Sequence, residues 1–570
     1  MLDQIKKEID QILQFAGVTG DIDFSVPPQA ELGDLAFACF DLAKKWKTSP
    51  NEAAKKIALE LETKKPPLID KVTAVGPYAN FYLKTGQVAE LVLQGIQKQG
   101  KKYGISKLGA GKKILIEYPS NNTHKELHIG HLRNICLGNA LVNIFRASGY
   151  KIIPVNYIND FGSHVARCLW GLMKFHNGET PPANKQRWLG EVYAEASRYL
   201  ADHPEFKDEV REIQAKLEAK DKKIWRLFME TRQWSLDGFA KVFAELGLKH
   251  DAVFYEKDVK DKGQKVVDDL LKKKIAQVGE GGAIIVDLTA ENLDIALLRK
   301  SNGAGLYLTS DLGLAQAKAK KFKTDESIHI TGTEQNLYFK QLFRVLELAG
   351  FKYKMTHLGY GLINLTTGKI SSRAGNVVLY EELRDEVLAD VEAETMARHH
   401  DWSKAKIQSV MKKMALSAIK FDLLKHETAK TIVFDAEAAI AFNGFTGPYI
   451  LYTVARINSL AKKSKQVKAG KISKEINYSL LTQPEEKKIL MNLADYGEAL
   501  AKAMRNYNPS VLTKYAFDLA KEFNDFYGQH SVLAAESSEL ITARLALALA
   551  VRQVLLGLMS ILGLEAVDEM

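Results

Sequence analysis

Between a short apolar run, KILIE at 113–117, and a helix-like stretch starting near residue 130 lies YPSNNTHKELHIGHLRN, residues 118–134. It holds three of the chain's 13 histidines within eight positions. His128 and His131 are separated by Ile-Gly, and at the start of a helix side chains three apart share a face. A helix N-terminus that follows a parallel strand favours anions, so two imidazoles there could hold the oxygens of a triphosphate as charge builds on them. The plain alternative is a pair of histidines capping a core helix; for an isolated H-x-G-H the two weigh about evenly. Far along the chain, GKISSRAGN at 368–376 is a glycine-flanked basic loop directly after a strand-like run. Lys369 and Arg373 on such a loop could close over phosphates with backbone N–H groups assisting. Alone, the segment reads more readily as a solvated loop.

The scaffold that must bring these two segments together is large. The chain's 570 residues are about four times the ~150 of a typical domain, which points to three or four domains. A content of 46% hydrophobic and 26% charged residues with 14 Pro excludes wholesale disorder and fibrous repeats. The net charge of +10 suits a phosphate-rich partner but is common among solvated proteins too. Cys39, Cys136 and Cys168 are too few and too far apart for a disulfide framework or a cysteine zinc site, so buried free thiols in a reducing compartment are expected. MLDQIKKEIDQIL reads as an amphipathic helix rather than an export signal, and Leu545–Leu564, interrupted by Arg552 and Gln553, as a buried bundle helix rather than a membrane span.

Residues 1–100 read as a small α/β unit: a helix, the loop FSVPPQAELGD, a helical stretch from Leu35 to about Glu62, and strand-like KVTAVGPYANFYL. The Lys/Gly-rich stretch 98–113 is the expected linker. Then KILIE, a helix from about Gly130 to Ser148 and the strand IIPVNYI form a βαβ unit, which implies a parallel sheet with ligands at its carboxyl end. The highly charged helical stretch beginning near Lys185 is an insertion, after which AIIVDL, SIHIT and THLGYGLI resume the alternation. The expected division is 1–100, then 101–380 with a helical insertion at about 185–290, a helical connection 381–435, and an all-α domain 436–570.

HIGH at 128–131 followed by a KMSKS-like KISSR at 369–373 resembles a class I aminoacyl-tRNA synthetase. The blocks around them narrow the resemblance to the arginyl-tRNA synthetase family over nearly the whole chain: Glu117, Ser120 and Asn122 ahead of HIGH, GLYLTSD at 305–311, and TGTEQNLYF at 331–339. The resemblance implies an α/β fold, with a Rossmann-like parallel-sheet catalytic domain, an N-terminal α/β additional domain and a C-terminal all-α anticodon-binding domain. It implies ATP with Mg2+, L-arginine and tRNA(Arg) as substrates, no dedicated protein metal site, and a cytoplasmic monomer without membrane contact.

Residue by residue, the resemblance assigns His128, Gly130, His131, Lys369, Ser371 and Arg373 to ATP. The second lysine of KMSKS is Ser372 here, and Lys125 stands where the family carries a lysine just before HIGH; His128, His131, Lys125 and Lys369 are the expected catalytic groups. A guanidinium presents a planar fork of donors and needs carboxylates with neighbouring hydroxyls. Tyr307 and Asp311 with Glu117 fit that, while Ser120, Asn122 and Gln335 are expected on the α-amino and carboxylate groups. A core aromatic and a helix cap are the plain alternatives for Tyr307 and Gln335. Asp160, in NDFGSH, carries over from the family's D-x-G-x-Q block as a further arginine-binding residue, where His164 replaces Gln; Tyr338 stands where the family often has His. In the last domain, Tyr449, Tyr452 and Arg456 are the candidates for stacking on anticodon bases, against ordinary core packing. KKSKQVKAGKISK, 462–474, with six lysines and no acid, is a candidate phosphate contact or only a solvated loop. Two rivals stand beside this reading: another class I ligase or small-molecule nucleotidyltransferase, and a catalytically silent tRNA-binding protein.

Overall fold

The structure is a computed structural model that describes residues 2–15, 24–64, 67–365, 378–468, 471–472 and 475–570. Its centre is a five-stranded parallel sheet running, edge to edge, through Lys354–Tyr360, Glu326–Gly332, Lys113–Glu117, Lys151–Ile158 and Ala252–Tyr255. Four of the five residues of KILIE are buried, as a strand covered on both faces requires. The chain builds outward from this strand in one direction and then returns to its other side. The crevice where strand order reverses therefore opens between the carboxyl ends of Lys113–Glu117 and Glu326–Gly332. The helix Ile129–Ala147 starts at that crevice and ends at Gly149, whose φ of +88° only glycine adopts readily and whose Cβ position is 2.8 Å from the Ser106 carbonyl oxygen.

Two departures from the sequence reading concern this sheet. The edge strand Ala252–Tyr255 lies within the stretch read as insertion. AIIVDL does not return to the parallel sheet: Ile284–Asp287 pairs antiparallel with Ile295–Arg299 and Gln277–Val278 in a separate three-stranded sheet. Short apolar runs do not state their partners, and DAVFY is flanked by charge that hides it. The insertion itself is helical, from Lys185–Asp202 through Lys207–Glu218 to Lys222–Leu246, packed on Ser163–Phe175 around its own core of Phe161, Trp170 and Phe228.

The N-terminal unit is a four-stranded antiparallel sheet with the helices Phe40–Trp46, Pro50–Lys64 and Thr85–Gln99. Leu35–Ala38, read as helical, is a strand paired with Tyr78–Leu83. The expected linker is packed rather than free: the Tyr103 hydroxyl donates to the Leu493 carbonyl at 2.8 Å. Beyond Tyr380 the chain is mostly helical, and Ser538–Leu562 packs against Gly447–Lys463, Pro484–Arg505 and Ser510–Gln529. By length and composition this helix could cross a membrane, but 67% of its most apolar window is buried inside the protein. All three cysteines are buried free thiols.

Candidate active site

A cavity of about 540 Å³ occupies the crevice, and eight of the expected residues line it: Glu117, Ser120, Asn122, His128, His131, Tyr307, Asp311 and Gln335. They come from three separate stretches of chain, 117–131, 307–311 and 335, the last being the N-cap position of the helix Asn336–Leu348.

His128 is the N-cap of Ile129–Ala147. Its Nδ1 accepts from the Gly130 amide at 3.1 Å and the His131 amide at 3.4 Å, while the His131 Nδ1 accepts from the His128 amide at 3.2 Å. The two imidazoles thus form a reciprocal capping box. An Nδ1 that accepts leaves the ring proton on Nε2, so both histidines are assigned the Nε2–H tautomer and offer that N–H as a donor. Burial pushes His128 down to about 4, helped by Lys125; burial, His128 and Lys125 hold His131 well below its ordinary value. Both rings are neutral at pH 7.

Carboxylates crowd the same cavity. Glu117 is buried at the end of its strand; burial opposes its charge, but Lys318 Nζ at 2.7 Å from Oε2 and His329 Nδ1 at 3.4 Å from Oε1 outweigh it and hold the group at about 2. Its charge is therefore spent within the protein. Among the described residues Asp311 makes no ion pair, Lys318 acting on it only from a distance. Burial drives it up to about 7 despite a hydrogen bond from the Tyr338 hydroxyl. Behind the cavity wall, Glu256, at the start of the helix Glu256–Lys272, is driven up to about 8 by burial and by Asp311 and Asp160, and among the described residues its Oε2 has no hydrogen-bond partner.

The structure does not bring every expected residue to the cavity wall. Asp160 is fully buried behind it, with Arg232 Nε at 2.6 Å and the Lys257 amide at 3.0 Å, so its two oxygens are occupied by the protein itself. Lys125 places its ammonium 4.7 Å from the ring centre of Tyr193 in the insertion rather than in the cavity lining. Gly130 acts through its backbone amide. Lys369, Ser371 and Arg373 lie outside the described residues. His164 is buried, with Nε2 3.3 Å from the Asn159 carbonyl.

Sequence reading missed Lys318, His329 and Glu256, and named Tyr338 without a role. It also missed Arg133, a buried guanidinium on the HIGH helix that donates to the carbonyls of Gly361, Leu362, Glu427, Thr428 and Lys430. It ties that helix to the segment leading into 366–377. The signal for Glu256 was its place directly after a strand of the parallel sheet; for Lys318, its spacing of seven from Asp311, two turns along one helix face.

In the helical domain, Arg456 lies between the rings of Tyr452 and Tyr527, at 4.7 and 5.2 Å, and donates to Asn524 Oδ1 at 2.5 Å. Tyr449 packs against Phe517 at 5.3 Å between ring centres. All three candidates are half-buried in internal contacts.

A parallel sheet with a histidine-capped helix at its switch point defines a class I aminoacyl-tRNA synthetase catalytic domain, and the family described as tRNA synthetases class I (R), catalytic domain, matches residues 92–436. An arginyl-tRNA synthetase N-terminal domain matches 2–83 and a DALR anticodon-binding domain 450–570. The chain is 35% identical over 553 residues to the arginine–tRNA ligase of Bdellovibrio bacteriovorus, covering 95% of this chain and 93% of that one. It is 32% identical to the arginine–tRNA ligase of Clostridium perfringens, over 100% and 99%. The fold superposes on Thermus thermophilus arginyl-tRNA synthetase with a TM-score of 0.80 at 24% identity, covering both chains in full. The chain belongs to the arginyl-tRNA synthetase family.

Proposed function

We infer that the cavity activates arginine, and that the chain is an arginine–tRNA ligase. It joins L-arginine to tRNA(Arg) at the expense of ATP, through arginyl-adenylate, releasing AMP and pyrophosphate. The observation that carries the site assignment is the meeting, in one cavity, of two neutral imidazole donors with a buried carboxyl, Asp311, that makes no ion pair among the described residues. In the first step a carboxylate oxygen of arginine attacks the α-phosphorus and the bond to pyrophosphate breaks. In the second, a terminal ribose hydroxyl of the tRNA attacks the acyl carbon and AMP leaves. No side-chain nucleophile is required, because positioning and charge stabilisation carry such transfers. His128 and His131 donate to phosphate oxygens as charge develops, with Lys125, Lys369, Ser371 and Arg373 assisting. Asp311, Tyr307 and Glu256 take the guanidinium; Ser120, Asn122 and Gln335 take the α-amino and carboxylate groups.

Magnesium enters on the triphosphate; among the described residues no group of three or more His, Cys, Asp or Glu is placed to hold a metal ion. The domain limits of the sequence reading, a cytoplasmic location and a monomer without membrane contact belong to this reading, and gel filtration tests the last. The deciding experiment is amino-acid-dependent ATP–pyrophosphate exchange with and without tRNA(Arg). Exchange stimulated by arginine and requiring tRNA is the expected result; exchange driven by another amino acid sinks the assignment.

A further inference from the structure

The arginine end of the cavity holds a residue that departs from the family pattern, Tyr338. It sits in the first turn of the helix Asn336–Leu348, three residues after Gln335. Its hydroxyl donates to Asp311 Oδ2, and both residues line the cavity. Among the described residues this is the side-chain hydrogen bond made to the Asp311 carboxylate, because Lys318 on the same helix is committed to Glu117.

The chemistry of that donor matters. A lysine or arginine in its place would neutralise Asp311 and compete with an incoming guanidinium. An apolar residue would leave a buried carboxyl with nothing to orient it or favour its ionised form. A phenol does neither: it fixes one oxygen of the carboxylate, adds no charge, and its own oxygen can still accept an N–H. The ring is held by an edge contact with Phe339, with ring centres 5.3 Å apart at 87°.

Resting on the arginine-activating reading above, we propose that Tyr338 is a specificity-determining residue for arginine. It sets the orientation of the Asp311 carboxylate and supplies a second acceptor to the planar guanidinium fork. Burial and Asp311 keep the phenol protonated, far above its ordinary range, so it enters as a donor. The other groups facing Asp311 are Glu117 from its strand, Lys318 from its own helix, Tyr157 from the neighbouring strand and Glu256 from the helix behind.

The test measures KM for arginine and for ATP in tRNA-dependent pyrophosphate exchange, from about pH 6 to about pH 8.5, for the full chain and for Tyr338→Phe, Tyr338→His and Asp311→Asn. Tyr338→Phe is expected to raise the arginine KM about tenfold near pH 8 and further below pH 7, because a hydrogen bond to an ionised group is lost and protonation of Asp311 becomes easier. Its ATP KM and melting temperature should stay close to those of the parent, which a general structural defect would not allow. Tyr338→His keeps an N–H donor on a shorter side chain, so it should recover only part of the arginine affinity that Tyr338→Phe loses. If Asp311→Asn raises the arginine KM and Tyr338→Phe does not at any pH, the inference falls while the reading of the site stands. If Asp311→Asn also leaves it unchanged, both fall.

Discussion

The two kinds of ionisable group in the cavity respond to the same burial in opposite ways. At the arginine end burial pushes Asp311 to about 7 and Glu256 to about 8, so both sit close to neutrality and a few ångströms' approach of a cation is enough to ionise them. At the phosphate end burial pushes His128 to about 4 and His131 lower still, far from any working pH. On the proposed function the acidic end is therefore switchable: it would give up protons when a guanidinium arrives. The imidazole end is fixed, presenting the same two Nε2–H donors whether or not a nucleotide is present. Glu117 marks the boundary between these behaviours, a carboxylate already satisfied by Lys318 and so blind to substrate. Specificity can rest on a charge that only the right ligand stabilises, whereas rate acceleration needs dipoles already in place.

The largest effect that would break this contrast is on the rate. His131→Ala and His128→Ala should each slow single-turnover adenylate formation by about 10²–10³-fold, the usual cost of one preorganised donor to a developing oxyanion, with the arginine KM nearly unchanged. His128→Ala should also lower the melting temperature more, because it removes the N-cap of Ile129–Ala147. A histidine variant that lost arginine affinity and kept its rate would mean the two ends are not distinct.

The next largest effect tests the switchable end. Glu256→Gln keeps the shape of a side chain that is 8% exposed and removes its charge; the arginine KM should rise about tenfold. In the parent enzyme, arginine binding should weaken as pH falls below about 8, at first by up to tenfold per pH unit as Glu256 protonates and more steeply below about 7 as Asp311 follows. The rate of adenylate formation at saturating substrates should show no imidazole limb in that range. A rate limb near pH 6.5 at saturation would place a titrating histidine at the phosphates.

How much of this was legible beforehand follows the same division. The phosphate end is local: His128, Ile129, Gly130 and His131 make their own cap, and a four-residue word carries it. The guanidinium end is assembled from the segments around 117, 256, 311 and 338; Glu117, Tyr307 and Asp311 could be named from their neighbourhoods, but not that Lys318 satisfies Glu117. Glu256 was missed because its strand, AVFY, is short and lies within a charged stretch. Asp160 was placed in the pocket because spacing alone does not show that Arg232, 72 residues on, occupies it. Pairings across such distances are set by packing, which periodicity does not encode.

A smaller effect follows from the linkage of those protons to folding. With folded values of about 7 and about 8, Asp311 and Glu256 lie above the ~4 of an unfolded carboxyl. Between those limits the folded, ligand-free protein binds more protons than the unfolded chain, so these groups make stability fall as pH rises through that window. Arginine binds the ionised form and reverses the loss. Its stabilisation of the melting temperature at a fixed concentration should therefore grow from about pH 6 to about pH 8. An arginine shift independent of pH would mean that the carboxyls do not change protonation on binding.

The smallest effect concerns cations that, unlike the buried imidazoles, meet phosphate in open solvent. In the lysine run, Lys463, Lys465 and Lys468 are exposed, whereas Lys462 Nζ is 2.6 Å from Glu569 Oε1 and shares that carboxylate with Lys406. Exposed lysines at a nucleic-acid backbone act by releasing counterions, with a slope of log affinity against log salt near −0.7 to −0.9 per phosphate engaged, and they read no sequence. Replacing Lys463, Lys465 and Lys468 together with Gln should thus weaken binding of cognate and anticodon-swapped tRNA alike, by a factor of a few, and flatten the salt slope by one to two units. Lys462→Gln should change the slope less, because its charge is already compensated. Truncating Tyr449 or Arg456 should instead alter discrimination between the two tRNAs, provided the stack of Arg456 on Tyr452 and Tyr527 opens to admit a base. Filter binding across a salt series separates these outcomes. An unchanged affinity and slope in the triple variant would leave the run as a solvated loop, and charge preorganisation would be confined to the buried cavity.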